Sequence, residues 1–312
     1  MQEFFLNYMN EAHVGQTIDV VENFSVLECW ECGFKHLDPI PSKIALDHFY
    51  SQQYYQVHKS SYIQQDEKDK KYLEISYEER LKVFERLTSG RRILDVGCGS
   101  GMFLFYAASL NWECRGVEPS ASAVEVARAK GLDIFHGSFD KFFREDKTIY
   151  DVIYLKNVLE HVADPFGLLG QCAKRISAQG ILFVEVPNDY ELMQKVGIAL
   201  LKEKKSWISV PDHINYFNFR SLRELLYRVN LKPVLRSTTF PIYACLLFGC
   251  NFISDKKAGL RAHSLRVSFE IYCERLHMRW FKHFVYKVMA MMGVGRTVIY
   301  YCRLENNKRM SK

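Results

Sequence analysis

Apolar runs of strand length alternate with apolar residues at helical spacing through the middle of this chain. The strand-like runs lie near residues 92–97, 113–118, 132–136, 150–155 and 180–187. The helix-like patterns lie near residues 101–110, 120–130, 165–177 and 219–229. Parallel strands need a crossover between them, and a helix usually supplies it. The alternation therefore predicts an α/β fold with a parallel sheet and helices on both faces.

After the fifth strand the pattern becomes mainly helical. Residues 231–239 and 296–304 predict two further strands, with a helical insertion, residues 251–295, before the last one. The insertion places apolar residues on one face of each helical stretch: Leu265, Phe269, Tyr272 and Leu276, then Trp280, Phe284, Val288 and Met291. We expect the insertion to cover the site as a cap or to form a dimer interface. We also expect its apolar faces to pack against the core. The alternative for the basic segment 279–292 is contact with a membrane surface.

These patterns divide the chain into four parts. Their expected bounds are 1–75, 76–250, 251–295 and 296–312. The first is an aromatic-rich leader with a Cys-x-x-Cys pair, and its polar run, residues 64–71, predicts a linker. The second is the core domain, opened by a helix near residues 77–87. The third is the helical insertion, and the fourth is the last strand with the tail.

The most specific motif is the glycine-rich turn between the first core strand and the helix that follows it. Gly97, Gly99 and Gly101 let the backbone turn sharply and approach a ligand closely. The first amides of the next helix carry a partial positive charge, so the turn predicts a nucleotide-like cofactor. The dinucleotide fingerprint needs a glycine at the sixth position of the loop, where this chain has Met102. A nicotinamide-dependent oxidoreductase is therefore disfavoured.

The segment Leu94–Gly101 resembles the first motif of the class I S-adenosylmethionine-dependent methyltransferases. Further segments follow in that family's order and at its intervals: Glu118 ends the second strand, and residues 158–165 and 180–188 accompany the later strands. The last two segments resemble the ubiquinone-type and sugar-modifying methyltransferases. The resemblance implies a doubly wound, Rossmann-like methyltransferase sheet, mostly parallel, whose last two strands form an antiparallel pair at the edge.

The resemblance also implies how S-adenosyl-L-methionine would be bound. Its methionine end would lie over the glycine loop supported by Asp95, and Glu118 would accept the ribose hydroxyls. The family often has an acid for the adenine at the end of the third strand. This chain has Ser138 there, so the adenine contact falls to Ser138, Phe139 and the backbone. The expected cofactor-binding residues are Asp95, Gly97, Cys98, Gly99, Gly101, Glu118, Ser138, Phe139 and Asn157.

Methyl transfer to a hydroxyl needs a positioned base, because the attacking oxygen must lose its proton. Two histidines compete for this role. His161 follows Glu160 beyond the fourth strand, at the sheet edge where open parallel sheets bind ligands. His213 lies in a segment similar to one that faces the acceptor in sugar-modifying methyltransferases, and it is our preferred base. Tyr216 is the third candidate catalytic residue, to orient the acceptor or share the proton.

The pair Cys29-x-x-Cys32 in the leader is similar to part of the zinc ribbon of some relatives. Those relatives carry a second cysteine pair upstream, which this chain lacks before Cys29. Tetrahedral zinc needs four ligands, so His13, His36 or a second subunit would have to complete the site. We therefore expect no metal, and interpret the leader as a zinc-ribbon-like remnant.

Composition limits the classes of partner. A net charge of +6 over 312 residues is mild, and much of the excess follows Lys256, so a nucleic-acid partner is not expected. Nine scattered cysteines suit a reducing cytosol, and residues 1–10 lack the features of a secretory signal. No apolar stretch reaches the ~18 residues that span a bilayer. We expect a cytoplasmic protein that acts on a small molecule, with a homodimer or peripheral membrane contact as further partner predictions.

The segment after the fourth strand limits the class of acceptor. Base amino methylation usually goes with an Asn/Asp-Pro-Pro-aromatic motif after the fourth strand, where this chain has Lys156, Asn157, Val158 and Leu159. We favour a hydroxyl of a sugar or glycan precursor. The alternatives are a phenolic quinone-type hydroxyl and a sugar carbon. From another class, a catalytically silent cofactor-binding module stays open, because a fold alone does not establish a reaction.

Overall fold

The computed structural model describes residues 13–41, 46 and 68–305. The strands are β1 (Gly15–Val21), β2 (Phe24–Cys29), β3 (Lys35–Asp38), β4 (Arg92–Val96), β5 (Glu113–Glu118), β6 (Asp133–His136), β7 (Tyr150–Lys156), β8 (Ile176–Pro187), β9 (Asn215–Tyr216), β10 (Leu231–Ser237) and β11 (Thr297–Leu304). The α-helices are α1 (Lys70–Leu87), α2 (Met102–Ser109), α3 (Ala121–Arg128), α4 (Phe139–Glu145), α5 (Pro165–Ala173), α6 (Leu192–Leu201), α7 (Phe219–Arg228), α8 (Ala244–Leu247), α9 (Lys256–Arg275) and α10 (Arg279–Met291). A 3₁₀ turn spans Leu159–His161.

Seven strands form the central sheet in the order β10-β11-β8-β7-β4-β5-β6. Strands β8, β7, β4, β5 and β6 are parallel, and β11 is antiparallel to both β8 and β10. This topology confirms the predicted doubly wound, Rossmann-like methyltransferase sheet with its antiparallel pair. The antiparallel strand itself is β11, which lies second from the edge, and β10 is the edge strand.

Alternate residues of the strands face two apolar layers. On β7, Val152 and Tyr154 belong to the layer beneath α1, α2 and α3, whereas Ile153 and Leu155 belong to the layer on the opposite face. The rings of Phe103, Tyr154 and Phe183 form a continuous stack in the first layer, with centroids 4.1 Å and 4.6 Å apart. Both faces of the sheet are thus covered, as parallel sheets require.

A buried ion pair joins α1 to the end of β8. Arg80 Nη2 donates to Glu185 Oε2 at 2.6 Å, Arg80 also donates to the Tyr154 hydroxyl, and its guanidinium lies 5.2 Å from the centre of the Phe183 ring. Both charged groups are almost fully buried. Buried charges are stable only when they are paired, so this ion pair holds α1 against the end of β8.

Several element bounds differ from the sequence predictions. Helix α1 begins at Lys70, so the expected domain boundary between residues 75 and 76 falls inside it, and the described end of the predicted linker is helical. Residues 64–67 of that linker lie outside the described residues. Strand β8 begins at Ile176, because Ile176 pairs with Tyr150, and the preceding helix ends at Ala173. The short helices α4 and α6 were not predicted.

The leader forms a second sheet that is completed by a strand of the core domain. Its order is β1-β2-β3-β9, with all pairs antiparallel. In this sheet His36 lies opposite Asn215 and Lys35 opposite Tyr216, and the Leu37 amide donates to the Ile214 carbonyl at 2.8 Å. The leader is therefore attached to the segment that contains the candidate base His213.

The helical insertion before the last strand is present as α9 and α10, but the expected packing of its apolar faces against the core is wrong for six of the eight named residues. Leu265, Tyr272, Leu276, Trp280, Phe284 and Met291 are all more than half exposed. Small and charged residues pack inward instead: Lys282 is buried and donates to Glu270 at 2.6 Å and to Glu79 of α1 at 2.7 Å. Apolar spacing predicted the helices correctly, but a polar network decides which face packs.

Within the described part of the chain, no helix has the length and apolar character needed to cross a membrane.

Candidate active site

One large cavity lies at the carboxyl ends of β4, β5, β7 and β8. Its volume is about 1010 Å³, at the upper end of the range of about 300–1,000 Å³ that is usual for ligand sites. The order of the strands reverses at β4, because β5 lies on one side of β4 and the later strand β7 lies on its other side. Such switch points are where open α/β sheets bind ligands. Helices α1 and α9 and residues 206–213 complete the lining.

The glycine loop forms the floor of the cavity at its cofactor end. Gly97, Gly99 and Gly101 have φ angles of 74°, 55° and 72°, a region that strongly favours glycine. A Cβ on Gly97 would lie 2.9 Å from Val158 Cγ2, and one on Gly101 would lie 2.5 Å from Leu132 Cδ1. Gly97 and Gly99 line the cavity together with Cys98. Gly101 is not among the described residues that line the cavity; it is the N-cap of helix α2 and lies against Leu132.

Glu118 ends β5 with its carboxylate held by the backbone. Its Oε2 accepts the Gly99 amide and its Oε1 accepts the Ser120 amide, both at 2.9 Å, and the residue is 4% exposed. Burial raises the pKa of Glu118 to about 7, and the two amide hydrogen bonds oppose that shift. Each oxygen has a second lone pair, so the carboxylate has the capacity to accept two vicinal hydroxyls.

Asp95 is the second buried acid at this end of the cavity. Burial raises its pKa to about 8; the charge of Lys156 opposes the shift and the charge of Glu118 adds to it. Asp95 follows Leu94 near the end of β4 and lines the cavity together with Gly97 and Gly99. Both carboxyls have raised pKa values and lie in the predicted site of S-adenosylmethionine, whose sulfonium group is positively charged. Binding of the cofactor is therefore expected to change their ionisation.

We expect binding of S-adenosylmethionine to strengthen as pH rises from 6 to 8. Glu118 and Asp95 are partly protonated near pH 7 in the free protein, and the sulfonium charge and ribose donors favour their ionised forms. Binding should therefore lower both pKa values and release protons. Calorimetry in buffers with different ionisation enthalpies measures this release directly. A pH-independent affinity with no proton release would contradict this linkage.

The remaining predicted cofactor residues also line the cavity. Ser138 begins α4, where its Oγ accepts the Lys141 amide at 3.5 Å, and Phe139 follows it. Asn157 has a φ of 54°, and its amide donates to the Glu185 carbonyl at 2.8 Å, which turns the chain after β7. The structure thus gathers eight of the nine predicted cofactor residues around one end of the cavity.

His161 also lines the cavity, and a backbone contact fixes its orientation. Its Nδ1 donates to the Asp212 carbonyl at 2.7 Å, since a carbonyl can only accept, and it lies 3.3 Å from Asp212 Oδ1. Its Nε2 lies 3.9 Å from Glu160 Oε1. Burial disfavours the charged ring, but the hydrogen bond with Asp212 and the charge of Glu160 outweigh it, so the pKa of His161 is raised. Burial raises the pKa of Glu160 itself to about 7.

The other two candidate catalytic residues have different surroundings. His213 lines the cavity and packs edge-on against His161, with ring centroids 5.0 Å apart. Tyr216 is buried in the apolar cluster beneath the leader sheet, and its hydroxyl donates to the His213 carbonyl at 3.0 Å. It is not among the described residues that line the cavity. The structure therefore brings the two histidines together in the cavity lining and places Tyr216 in the neighbouring apolar cluster.

Residues 65–235, just over half of the chain, match the methyltransferase domain family. The chain belongs to that family. This membership confirms the class I S-adenosylmethionine-dependent methyltransferase that the glycine loop and Glu118 predict. It also confirms the predicted enzyme class and, at the level of the family, S-adenosylmethionine as the cofactor.

Curated relatives of this methyltransferase match the same region. It is 32% identical over 135 residues to a ubiquinone biosynthesis O-methyltransferase of Maricaulis maris, covering 41% of this chain and 53% of the relative. It is 30% identical over 133 residues to the protein of that name from Proteus mirabilis, covering 41% and 49%. The chain thus spans about half the length of the curated relatives it matches.

Solved structures resemble the methyltransferase over most of its length. The plantazolicin methyltransferase BamL, solved with a triazolic analog and SAH, covers 83% of this chain and 94% of its own with a TM-score of 0.54 at 13% identity. The plantazolicin methyltransferase BpumL, solved with SAH, covers 84% and 95% with a TM-score of 0.52 at 16% identity. At these identities the likeness supports the fold.

The methyltransferase cavity is also lined by residues that the sequence did not single out. Two of them are arginines: Arg266 on α9 and Arg296 just before β11. Arg266 Nη2 lies 2.9 Å from His263 Nδ1, its guanidinium lies 5.1 Å from the Tyr72 ring centre, and its buried Nε has no hydrogen-bond partner among the described residues. Burial and the charge of Arg266 lower the pKa of Arg296. In the sequence, Arg266 is a charged residue within a stretch of apolar residues at helical spacing, and this is the signal that could have indicated it.

Proposed function

We propose that this methyltransferase transfers a methyl group from S-adenosylmethionine to a hydroxyl of a small or medium acceptor. The observation that carries the proposal is that Glu118 and the glycine loop line the same cavity as His161 and His213. The cofactor supplies an activated methyl group. The chain's own residues would hold it, align the acceptor oxygen and remove the proton of that oxygen.

We propose His161 as the general base, in place of the sequence preference for His213. The hydrogen bond from Nδ1 to the Asp212 carbonyl fixes the tautomer of His161, so Nε2 presents the basic lone pair. Orientation of a base by a third group is the arrangement found in catalytic triads. His213 packs against the ring and would restrict its rotation. The two assignments give opposite outcomes when each histidine is replaced.

For the acceptor, we propose a sugar or glycan precursor that carries an anionic group. Charged and polar residues support this choice, because Arg266 and Arg296 line the same cavity and Ser206, Ser209 and Thr239 contribute hydroxyls. Guanidinium groups are well suited to phosphate or carboxylate oxygens. The phenolic quinone-type acceptor is the second candidate, since the curated relatives are ubiquinone biosynthesis O-methyltransferases and the aromatic rings of Tyr72, Trp207 and Tyr243 also line the cavity.

A panel of acceptors with deuterium-labelled S-adenosylmethionine tests this function. Nucleotide sugars, sugar phosphates, glycan precursors, neutral sugars and catechol-type phenols would each be incubated with the protein, and the products analysed by mass spectrometry. An O-methylated anionic sugar is the expected product, and it should disappear in Arg266→Met. A methylated phenol would favour the second candidate. Cofactor binding without any methylated product would favour the silent binding module.

The exposed apolar face of α9 and α10 supports the predictions about larger partners. Six large apolar side chains on these two helices are more than half exposed. The same helices also carry exposed basic residues, among them Lys257, Arg261 and Lys287. A monomeric protein rarely exposes so many apolar side chains without a partner. A homodimer and peripheral membrane contact therefore remain our two proposals for this face.

A cytoplasmic location and the division of the chain into four parts also remain proposals.

A further inference from the structure

Four side chains of the leader converge on one point at the edge of its sheet. They are His13 before β1, Cys29 at the end of β2, Cys32 in the following turn, and His36 on β3. Their candidate ligand atoms all lie within 4.8 Å of one another. His13 Nδ1 lies 3.1 Å from His36 Nε2, 3.6 Å from Cys29 Sγ and 3.2 Å from Cys32 Sγ.

These separations match the edges of a tetrahedron around a zinc ion. Zinc binds sulfur at about 2.3 Å and imidazole nitrogen at about 2.0 Å, which places two ligand nitrogens about 3.3 Å apart and a nitrogen and a sulfur about 3.5 Å apart. The three distances from His13 Nδ1 lie within a few tenths of an ångström of these values. Two imidazoles and two thiolates form one of the common ligand sets of structural zinc.

The surroundings of the cluster orient its ligands. His36 Nδ1 donates to the Leu37 carbonyl at 2.8 Å, so Nε2 presents its lone pair toward the cluster. The Cys32 amide donates to Cys29 Sγ at 3.3 Å, and the Gly33 amide donates to the Cys29 carbonyl at 3.1 Å, where Gly33 has a φ of 78°. Arg228 of α7 donates to the Cys32 carbonyl at 2.8 Å and holds the turn against the core domain.

We propose that His13, Cys29, Cys32 and His36 bind one zinc ion. The sequence supplies only one cysteine pair, and the second half of the ligand set appears only when the fold brings both histidines to that pair. Four protein ligands leave no open coordination position, so the ion has a structural role.

The proposed ion lies next to the segment that holds the candidate base. His36 pairs with Asn215 across the leader sheet, and Asn215 Nδ2 donates to the Leu159 carbonyl at 2.8 Å and to the Val162 carbonyl at 2.7 Å. These two carbonyls flank the turn that carries His161. We infer that the zinc ion fixes β3 and, through Asn215, positions His161; this second step rests on the proposed function.

Metal analysis of the purified full-length chain, with any affinity tag removed, tests the site independently of turnover. We expect about one zinc per chain in the wild type. Cys32→Ser and His13→Ala should each reduce the zinc content at least about fivefold, because each leaves three ligands. Cys250→Ser, which changes a partly buried cysteine outside the cluster, should leave it unchanged. Cobalt substitution should give the intense visible bands of a tetrahedral site and a sulfur-to-cobalt absorption that Cys32→Ser weakens.

Several results would overturn the proposal. One is wild-type protein with reduced thiols that takes up neither zinc nor cobalt, and another is a Cys29–Cys32 disulfide, detected as a loss of two hydrogen masses. If the variants fail to fold, a chelator titration of the wild type with a colorimetric zinc indicator decides whether one ion is released. Zinc at one equivalent in a protein without methyl transfer would support the metal site and count against the proposed function. In an active protein, zinc removal should reduce kcat and leave the affinity for S-adenosylmethionine unchanged.

Discussion

Replacing Glu118 by alanine should weaken the binding of S-adenosylmethionine by at least about 100-fold. The carboxylate is buried, held by the Gly99 and Ser120 amides, and faces the cavity at the cofactor end. Loss of charge-assisted hydrogen bonds to two ribose hydroxyls, each worth about 1.5–3 kcal/mol, accounts for a change of this size. Calorimetric titration of the variant measures the loss.

Glu113→Ala is the matched control for this substitution. Glu113 lies at the first position of the same strand, where its side chain is exposed and pairs with Arg92 at 3.1 Å. Its replacement should leave the affinity unchanged, because exposed ion pairs contribute little and Glu113 does not line the cavity. An affinity equal to that of the wild type in Glu118→Ala would remove Glu118 from the cofactor site.

Replacing His161 by alanine should reduce kcat by about 100-fold or more, while the affinity for S-adenosylmethionine stays within about twofold. Removal of a general base usually costs about 10²–10⁴ in rate. In the wild type, kcat should rise with pH and level off above the ordinary histidine pKa, since the pKa of His161 is raised and the neutral ring is the active form. The variant should lose this dependence.

His213→Ala provides the comparison for the base assignment. His213 touches the His161 ring and lines the same cavity, so its replacement should reduce kcat by less than about tenfold and preserve the pH profile. The reverse pattern, with the large loss and the changed profile in His213→Ala, would establish His213 as the base and contradict the assignment of His161.

The central sheet and the cofactor end of the cavity were predictable from the sequence because their signals are local. The glycine loop lies within one strand–turn–helix unit, and Glu118 ends the next strand, so spacing along the chain was enough to place Glu118 beside Gly99. Gly101 belongs to the same loop but does not line the cavity, and spacing along the chain does not show that a Cβ there would lie 2.5 Å from Leu132 Cδ1.

The parts that the sequence did not show depend on contacts between distant segments. His36 pairs with Asn215 across 179 positions, and no local pattern indicates that a leader strand completes its sheet with residues 215–216. The orientation of α9 and α10 was predicted wrongly because apolar spacing was taken to mark the buried face. A buried Lys282 with two carboxylates overrides that signal. The link between Asp212 and His161 likewise joins two loops that follow different strands.

The central claim is that this cavity binds S-adenosylmethionine, and calorimetry on the purified protein tests it most directly. S-adenosylmethionine and S-adenosylhomocysteine would be titrated separately at pH 7.5, with NADH as the control ligand. We predict one site per chain for the first two, with dissociation constants on the order of micromolar, and no heat with NADH. Binding of NADH, or binding of neither S-adenosyl compound, would contradict the account.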